Sequence, residues 1–204
     1  MKDLQQRIYV HGKIIVKYKI SKAHIQDLNK KYEIHKDKLD SFGKRLAGRL
    51  ESELNILSFF EKTTAFQPII HCMGNYVEEC KKFGLMNGGT YNLDILSCWM
   101  NDMKEGEYNP PHIHHDNIGY STVLYLKVPK FINDATEPHK FKDGEIGFIG
   151  VDGNIISYMS PKVGDLYIFK ADHQHCVLPF KTKKPGETRR SMSFNFVAEP
   201  HEKK

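Results

Sequence analysis

The segment GEYNPPHIHHDN, residues 106–117, places three histidines and an aspartate within positions 112 to 116, behind a double proline and ahead of an apolar alternating run. Imidazole and carboxylate are the side chains that hold mid-row transition metals. In an extended chain alternate residues share a face, so His112, His114 and Asp116 project together while Ile113 and His115 project oppositely. A metal could meet two of the three. Downstream, GDLYIFKADHQHCVLPF carries His173 and His175 just after an apolar strand. Two ligands close together and a third from a later strand is the facial arrangement of non-haem Fe(II) oxygenases, which leaves positions open for substrate and dioxygen. With 11 histidines in the chain, spacing alone also fits chance clustering in a polar loop.

A second pattern lies in TRRSMSFNF. Read with a period of two, Arg189, Ser191, Ser193 and Asn195 share one face, and Arg190, Met192, Phe194 and Phe196 the other. A line of arginine and small hydroxyls opposite an aromatic face suits a strand whose polar side lines a cavity. Arg189 is then a partly buried cation in need of a carboxylate, which its planar fork binds bidentately while Ser191 adds a hydrogen bond. An acid of the protein itself would serve equally well.

These groups need a scaffold, and the chain changes character near residue 90. Before it, SKAHIQDLNKKYE offers Ser21 as an N-cap with Ile25 and Leu28 on one face. DSFGKRLAGRLESELNILSFF places Phe42, Leu46, Leu50, Leu54 and Leu57 at helical spacings, and IIHCMGNYVEECKKFG repeats Ile70, Met73, Val77 and Cys80 before a stop at Gly84. Three amphipathic helices are expected. From Tyr91 onward short period-two segments alternate with Gly, Pro, Asn and Asp. With one strand allowed from RIYVHGKIIVKYKI they number about eight, as in a jelly roll or double-stranded β-helix. The expected architecture is mostly β, one compact domain: a helical part over 1–90 packed on a barrel core over 91–204.

Composition sets the context. At 204 residues, 40% hydrophobic and 27% charged, the chain is ordinary globular material, and no apolar run is long enough to span a membrane. No signal-peptide pattern opens it, so a cytoplasmic setting is expected, without membrane partners. The cysteines, Cys72, Cys80, Cys98 and Cys176, have no close pairing and read as reduced thiols. The net charge of +5 is spread thinly, and its clusters read as solvated helix faces rather than a nucleic-acid groove.

Together, WMNDMKEGEYNPPHIHHDN, YSTVLYLKVP, GDLYIFKADHQHCVLPF and TRRSMSFNF resemble the 2-oxoglutarate and Fe(II)-dependent dioxygenase superfamily. Within it they look most like the prolyl-hydroxylase-like oxygenases of bacteria and their viruses. The resemblance implies a double-stranded β-helix, Fe(II) on a His-x-Asp/Glu pair plus a distal His, and 2-oxoglutarate chelating the iron with its far carboxylate on a late Arg or Lys. Gly106 stands six residues before His112, as in that family, which makes His112 the first ligand; position 114 is then His where a carboxylate is usual. Either the set is His112, His114 and His175, the preferred reading, or Asp116 supplies a carboxylate, with His114 or with His112. The aromatic-to-His-x-Val pattern selects His175 over His173, which reads as a solvated loop residue, as His115 reads as a surface one. The resemblance assigns Arg189 and Ser191 to the co-substrate carboxylate. Tyr125 falls at a position whose hydroxyl bonds the same group, or is a core tyrosine. Trp99 and Asn101 lead into the site, Trp99 reading as core.

The implied activity couples decarboxylation of 2-oxoglutarate by dioxygen to hydroxylation of a second substrate, a peptide, nucleic acid or small molecule. A cupin-like metal protein that ignores 2-oxoglutarate and a non-catalytic β-sandwich module are the alternatives, and if the chain is viral the setting is the host cytoplasm. The helical part is left to pack on the barrel, form a homodimer surface or shape a substrate cleft.

Overall fold

The computed structural model describes residues 7–10, 13–43, 48–114, 118–132, 143–150 and 155–201. Two antiparallel sheets face each other. In chain order the strands are β1 (Arg7–Val10), β2 (Ile14–Lys19), β3 (Glu53–Asn55), β4 (Tyr91–Met103), β5 (Asn109–His112), β6 (Tyr120–Lys127), β7 (Ile146–Ile149), β8 (Ile155–Met159), β9 (Asp165–Lys170), β10 (His175–Val177) and β11 (Arg189–Pro200). The helices are α1 (Lys22–His35), α2 (Leu57–Phe60) and α3 (Phe66–Lys82). The larger sheet runs β1-β2-β9-β6-β11-β4-β3 and the smaller β5-β10-β7-β8. Strands β4 to β11 therefore divide four and four between the sheets in jelly-roll order, as the sequence led us to expect.

The roll has eight strands, but the membership differs from the expectation in one place. Strand β5, which carries His112, was not visible beforehand because it reads NPPH. Two prolines remove two ladder donors, which is tolerated only where a strand lies at a sheet edge, as β5 does. The amino-terminal segment supplies two strands where one was expected: β1 pairs with β2, and β2 extends the large sheet through β9.

The part before residue 90 is not purely helical, and the expected second helix is the main correction. Among the described residues of 40–60, only Leu57–Phe60 is α-helical, while Glu53–Asn55 is a strand on the edge of β4. Gly43 and Gly48 both fall inside the apolar repeat, each costing a helix about 1 kcal/mol. The open edge of β4 offers ladder hydrogen bonds to β3 instead, Phe42 N–H in turn donates to the Glu53 carbonyl of β3, and the Phe42 ring stacks on Trp99 at 5.0 Å. The other two helices form as expected. Ser21 Oγ accepts from the His24 N–H at the start of α1, and α3 ends at Gly84, whose φ of +68° suits a residue without a side chain.

Period-two alternation separates two cores. Val16, Leu124, Ile168, Met192 and Phe194 meet the helices through Ile25, Leu28, Ile69 and Met73. Ile15, Val123, Tyr125, Tyr167 and Phe169 face the small sheet, which supplies Ile146, Phe148 and Val177. Burial of each such side chain contributes about 1.5–3 kcal/mol. Tyr76 of α3 donates to the Ile14 carbonyl at 3.0 Å and Asn29 of α1 to the Leu126 carbonyl at 3.1 Å, so the helices are tied to the outer face of the large sheet. No described helix is long and apolar enough to cross a membrane. All four cysteines are free and buried.

Candidate active site

Strands β5 and β10 pair so that His112 and His175 are direct neighbours across the ladder. His114 follows the end of β5, where its N–H donates to the Ala171 carbonyl at 2.9 Å in the turn after β9. One potential ligand atom from each of the three histidines lies within 4.8 Å of the others. The Nε2 atoms of His114 and His175 are 3.1 Å apart. Two nitrogens bound to one metal at about 2.1 Å along perpendicular axes stand about 3 Å apart, so this spacing fits a shared ion.

The far sides of two rings are fixed by the backbone. His112 Nδ1 lies 2.7 Å from the Pro110 carbonyl and His175 Nδ1 2.9 Å from the His173 carbonyl. A carbonyl only accepts, so each Nδ1 carries the proton and each Nε2 offers a lone pair to the cavity. Burial holds the His112 imidazole below its ordinary pKa. His175 is held well below it, first by burial and then by the neighbouring His112 and His114, which favours the neutral form a metal requires.

The opposite wall comes from the large sheet. Ser191 and Ser193 of β11 line the cavity beside Trp99 and Asn101 of β4, with which they are in register. Arg189 lies at the inner end of this line, 3% exposed. Its Nη1 donates to the Gly144 carbonyl at 2.6 Å, its Nε has no partner, and no carboxylate pairs with it among the described residues. Gly144 has a φ of +62°, and a Cβ there would come within 2.8 Å of the Phe131 ring, so a small residue is needed to present that carbonyl. The Arg189 guanidinium stands 5.5 Å from the centre of the Tyr125 ring. Tyr125 is fully buried with its hydroxyl unpartnered among the described residues, and burial, partly offset by Arg189, pushes its pKa up to about 12.

Arg190 shows what a paired arginine looks like in this fold. On the helix side of the same strand it binds Asp102 through Nε at 2.6 Å and Nη2 at 2.8 Å, reaches Glu33 at 2.7 Å, and lies over the Tyr32 ring at 4.4 Å.

Of the residues singled out beforehand, His112, His114, His175, Arg189 and Ser191 all line one cavity. Trp99 is both buried and part of the lining, 5.9 Å from the His114 ring. Asp116, the alternative carboxylate ligand, and His115 lie outside the described residues. His173 is corrected: it is 2% exposed, with its ring 5.2 Å from Phe148, because the β9–β10 turn folds inward to bring its carbonyl onto His175.

Sequence reading missed Glu53 and Asn109. Both line the same cavity, and Glu53 is 3% exposed. The helical reading of the segment rests on the spacing of Phe42, Leu46, Leu50, Leu54 and Leu57, a repeat that does not include Glu53. The glycines at 43 and 48 were the available signal that the segment is extended instead.

The model of a family described as "Putative 2OG-Fe(II) oxygenase" matches residues 97–195. Among solved structures, a prolyl-4-hydroxylase of Pseudomonas putida is similar at TM-score 0.58 with 16% identity, covering 98% of this chain and 94% of that one. The viral collagen prolyl hydroxylase of Paramecium bursaria Chlorella virus-1, solved with 2OG, is similar at TM-score 0.56 with 14% identity, covering 91% of this chain and 96% of that one. At such identities the likeness is one of fold. No curated protein matches the chain.

Proposed function

We infer that the chain is a 2OG-Fe(II) oxygenase, the family whose model matches residues 97–195, in which His112, His114 and His175 hold the iron while Arg189 anchors the co-substrate of a hydroxylation reaction. The observation that carries this assignment is the state of Arg189. It is a buried guanidinium facing a cavity, with a backbone carbonyl as its one hydrogen-bond partner and no acid beside it among the described residues. A permanently charged group held so costs several kcal/mol unless a ligand supplies the counter-charge. The distal carboxylate of 2-oxoglutarate fits, since the guanidinium fork binds a carboxylate in two parallel hydrogen bonds.

When bound, Fe(II) with 2-oxoglutarate and dioxygen supplies the oxidising chemistry, in which decarboxylation to succinate drives hydroxylation of a second substrate. The protein's own residues set the conditions for it. His112 and His175 are locked by the Pro110 and His173 carbonyls, so their lone pairs need no reorientation. Ser191, in register between Asn101 and Tyr125, can donate its hydroxyl to the anchored carboxylate, and the unpartnered Tyr125 hydroxyl can add a second donor. Val123, Ile146 and Phe169 keep the cavity apolar around the histidines, which strengthens each of these interactions and limits side reactions of the oxidant. The four buried, unpaired thiols support the cytoplasmic setting.

Calorimetric titration of 2-oxoglutarate into Fe(II)-loaded protein under nitrogen tests the assignment. Wild type is expected to bind and Arg189→Ala to bind at least 100-fold more weakly. Equal binding by both would remove Arg189 from the site.

A further inference from the structure

The cavity has a second charged end that the co-substrate cannot use. Across the large sheet, Glu53, Asn101, Ser191 and Tyr125 form one lateral row, each in register with the next. Neighbouring strands are about 4.8 Å apart, so Glu53 lies about 10 Å along this row from Ser191. A dicarboxylate held at Arg189 and Ser191 is repelled by Glu53, which therefore faces a different molecule.

Glu53 is itself an anomaly of the fold. It is nine-tenths buried or more, lines the cavity, and has no hydrogen bond or ion pair to its carboxyl group among the described residues. The nearest charged neighbour that acts on it is another acid, Glu107, whose carboxylate is occupied by the backbone N–H groups of Glu51 and Lys104. The same cavity adds Asn101, in register with Glu53, and Asn109 of β5, each with a buried amide oxygen lacking a hydrogen-bond partner among the described residues. Isolated buried polar atoms are costly, and three groups of this kind lining one cavity form an acceptor-rich recess waiting for donors.

We propose that Glu53 is the substrate-recognition residue of this site and that the second substrate presents to it a cationic N–H-bearing group, the ammonium or guanidinium of a basic side chain. The proposal rests on the oxygenase reading and adds to it the class of molecule hydroxylated. A carboxylate with a cation makes charge-assisted hydrogen bonds about twice as strong as neutral ones, and the flanking amides accept the remaining N–H groups. A prolyl ring has no side-chain donor and would leave all three unsatisfied. Recognition by buried polar groups discriminates strongly, because an analogue without the donor strands them.

The test uses acetylated, amidated Gly-X-Gly tripeptides in which X is Lys, Arg, norleucine or Pro. Their binding to the Fe(II) and 2-oxoglutarate-loaded protein is measured by calorimetry under nitrogen, for wild type, Glu53→Gln, Glu53→Asp and the exposed Glu51→Gln. The Lys or Arg peptide is expected to bind wild type at least tenfold more tightly than the norleucine peptide. That advantage should fall below twofold in Glu53→Gln, survive in part in Glu53→Asp, and persist in Glu51→Gln. Failure of both basic peptides to bind, equal binding by the norleucine or Pro peptide, or an advantage that survives Glu53→Gln overturns the proposal. Failure of wild type to bind 2-oxoglutarate would instead overturn the oxygenase reading, and the peptide series on metal-loaded protein alone would still decide the role of Glu53.

Discussion

Arg189 and Arg190 are consecutive on β11, project to opposite faces of the large sheet, and meet opposite surroundings. Arg190 is held by Asp102 and Glu33, whereas Arg189 has the Gly144 carbonyl and no acid among the described residues. Breaking a buried ion pair from one side is destabilising, while removing an unpaired buried charge is not. Arg190→Ala is therefore expected to lower stability by roughly 3 kcal/mol. Arg189→Ala should leave the melting temperature of the ligand-free protein unchanged or raise it. Thermal melts of the two variants, with and without 2-oxoglutarate, check the contrast, because only wild type and Arg190→Ala should be stabilised by the ligand.

The ligand set predicts an ordered series of iron affinities. Removing one of the three imidazoles proposed as ligands should weaken Fe(II) binding by well over the 10- to 100-fold typical of lost supporting contacts. His112→Ala, His114→Ala and His175→Ala should each show this in anaerobic metal titration, and Asp116→Ala should bind iron within about twofold of wild type, well short of that loss. His114→Asp, which restores the His-x-Asp pattern common in related oxygenases, should retain iron. A loss in Asp116→Ala equal to that in His114→Ala would move the carboxylate into the metal's coordination.

Glu53 makes stability depend on pH in a defined direction. Burial, reinforced by the charge of Glu107, raises its pKa to about 7 in the fold. A folded-state pKa above the unfolded value means that the folded protein holds the proton more tightly. The contribution is then fully present below about pH 4.5 and is lost as pH rises through 7. Glu53→Gln, which keeps the shape without the proton, should match wild type near pH 4.5 and exceed it at pH 8 by up to about 3 kcal/mol. Denaturant unfolding at the two pH values reads the difference; a constant offset between the proteins would contradict it.

Much of this was legible beforehand because period-two patterning survives where both sheet faces are buried. TRRSMSFNF sorted its polar and aromatic faces correctly, and His112, His114 and His175 met as expected, since their spacing reflects a ladder and a turn. What was hidden depended on contacts distant in sequence. Strand β3 forms because β4 has an unpaired edge, which no local pattern in LESELNIL announces, and a leucine repeat therefore looked helical. Glu53 was lost with it. His173 looked like a solvated loop residue because polarity was visible and the inward fold of its turn was not.

The most direct measurement is succinate release from 2-oxoglutarate by anaerobically iron-loaded protein after oxygen is admitted, comparing wild type with His114→Ala and Arg189→Ala. Oxygen- and iron-dependent succinate from wild type, with at least a 100-fold loss in each variant, is the predicted result. Iron bound by wild type with no consumption of 2-oxoglutarate would contradict it and leave a metal-binding jelly roll of another kind.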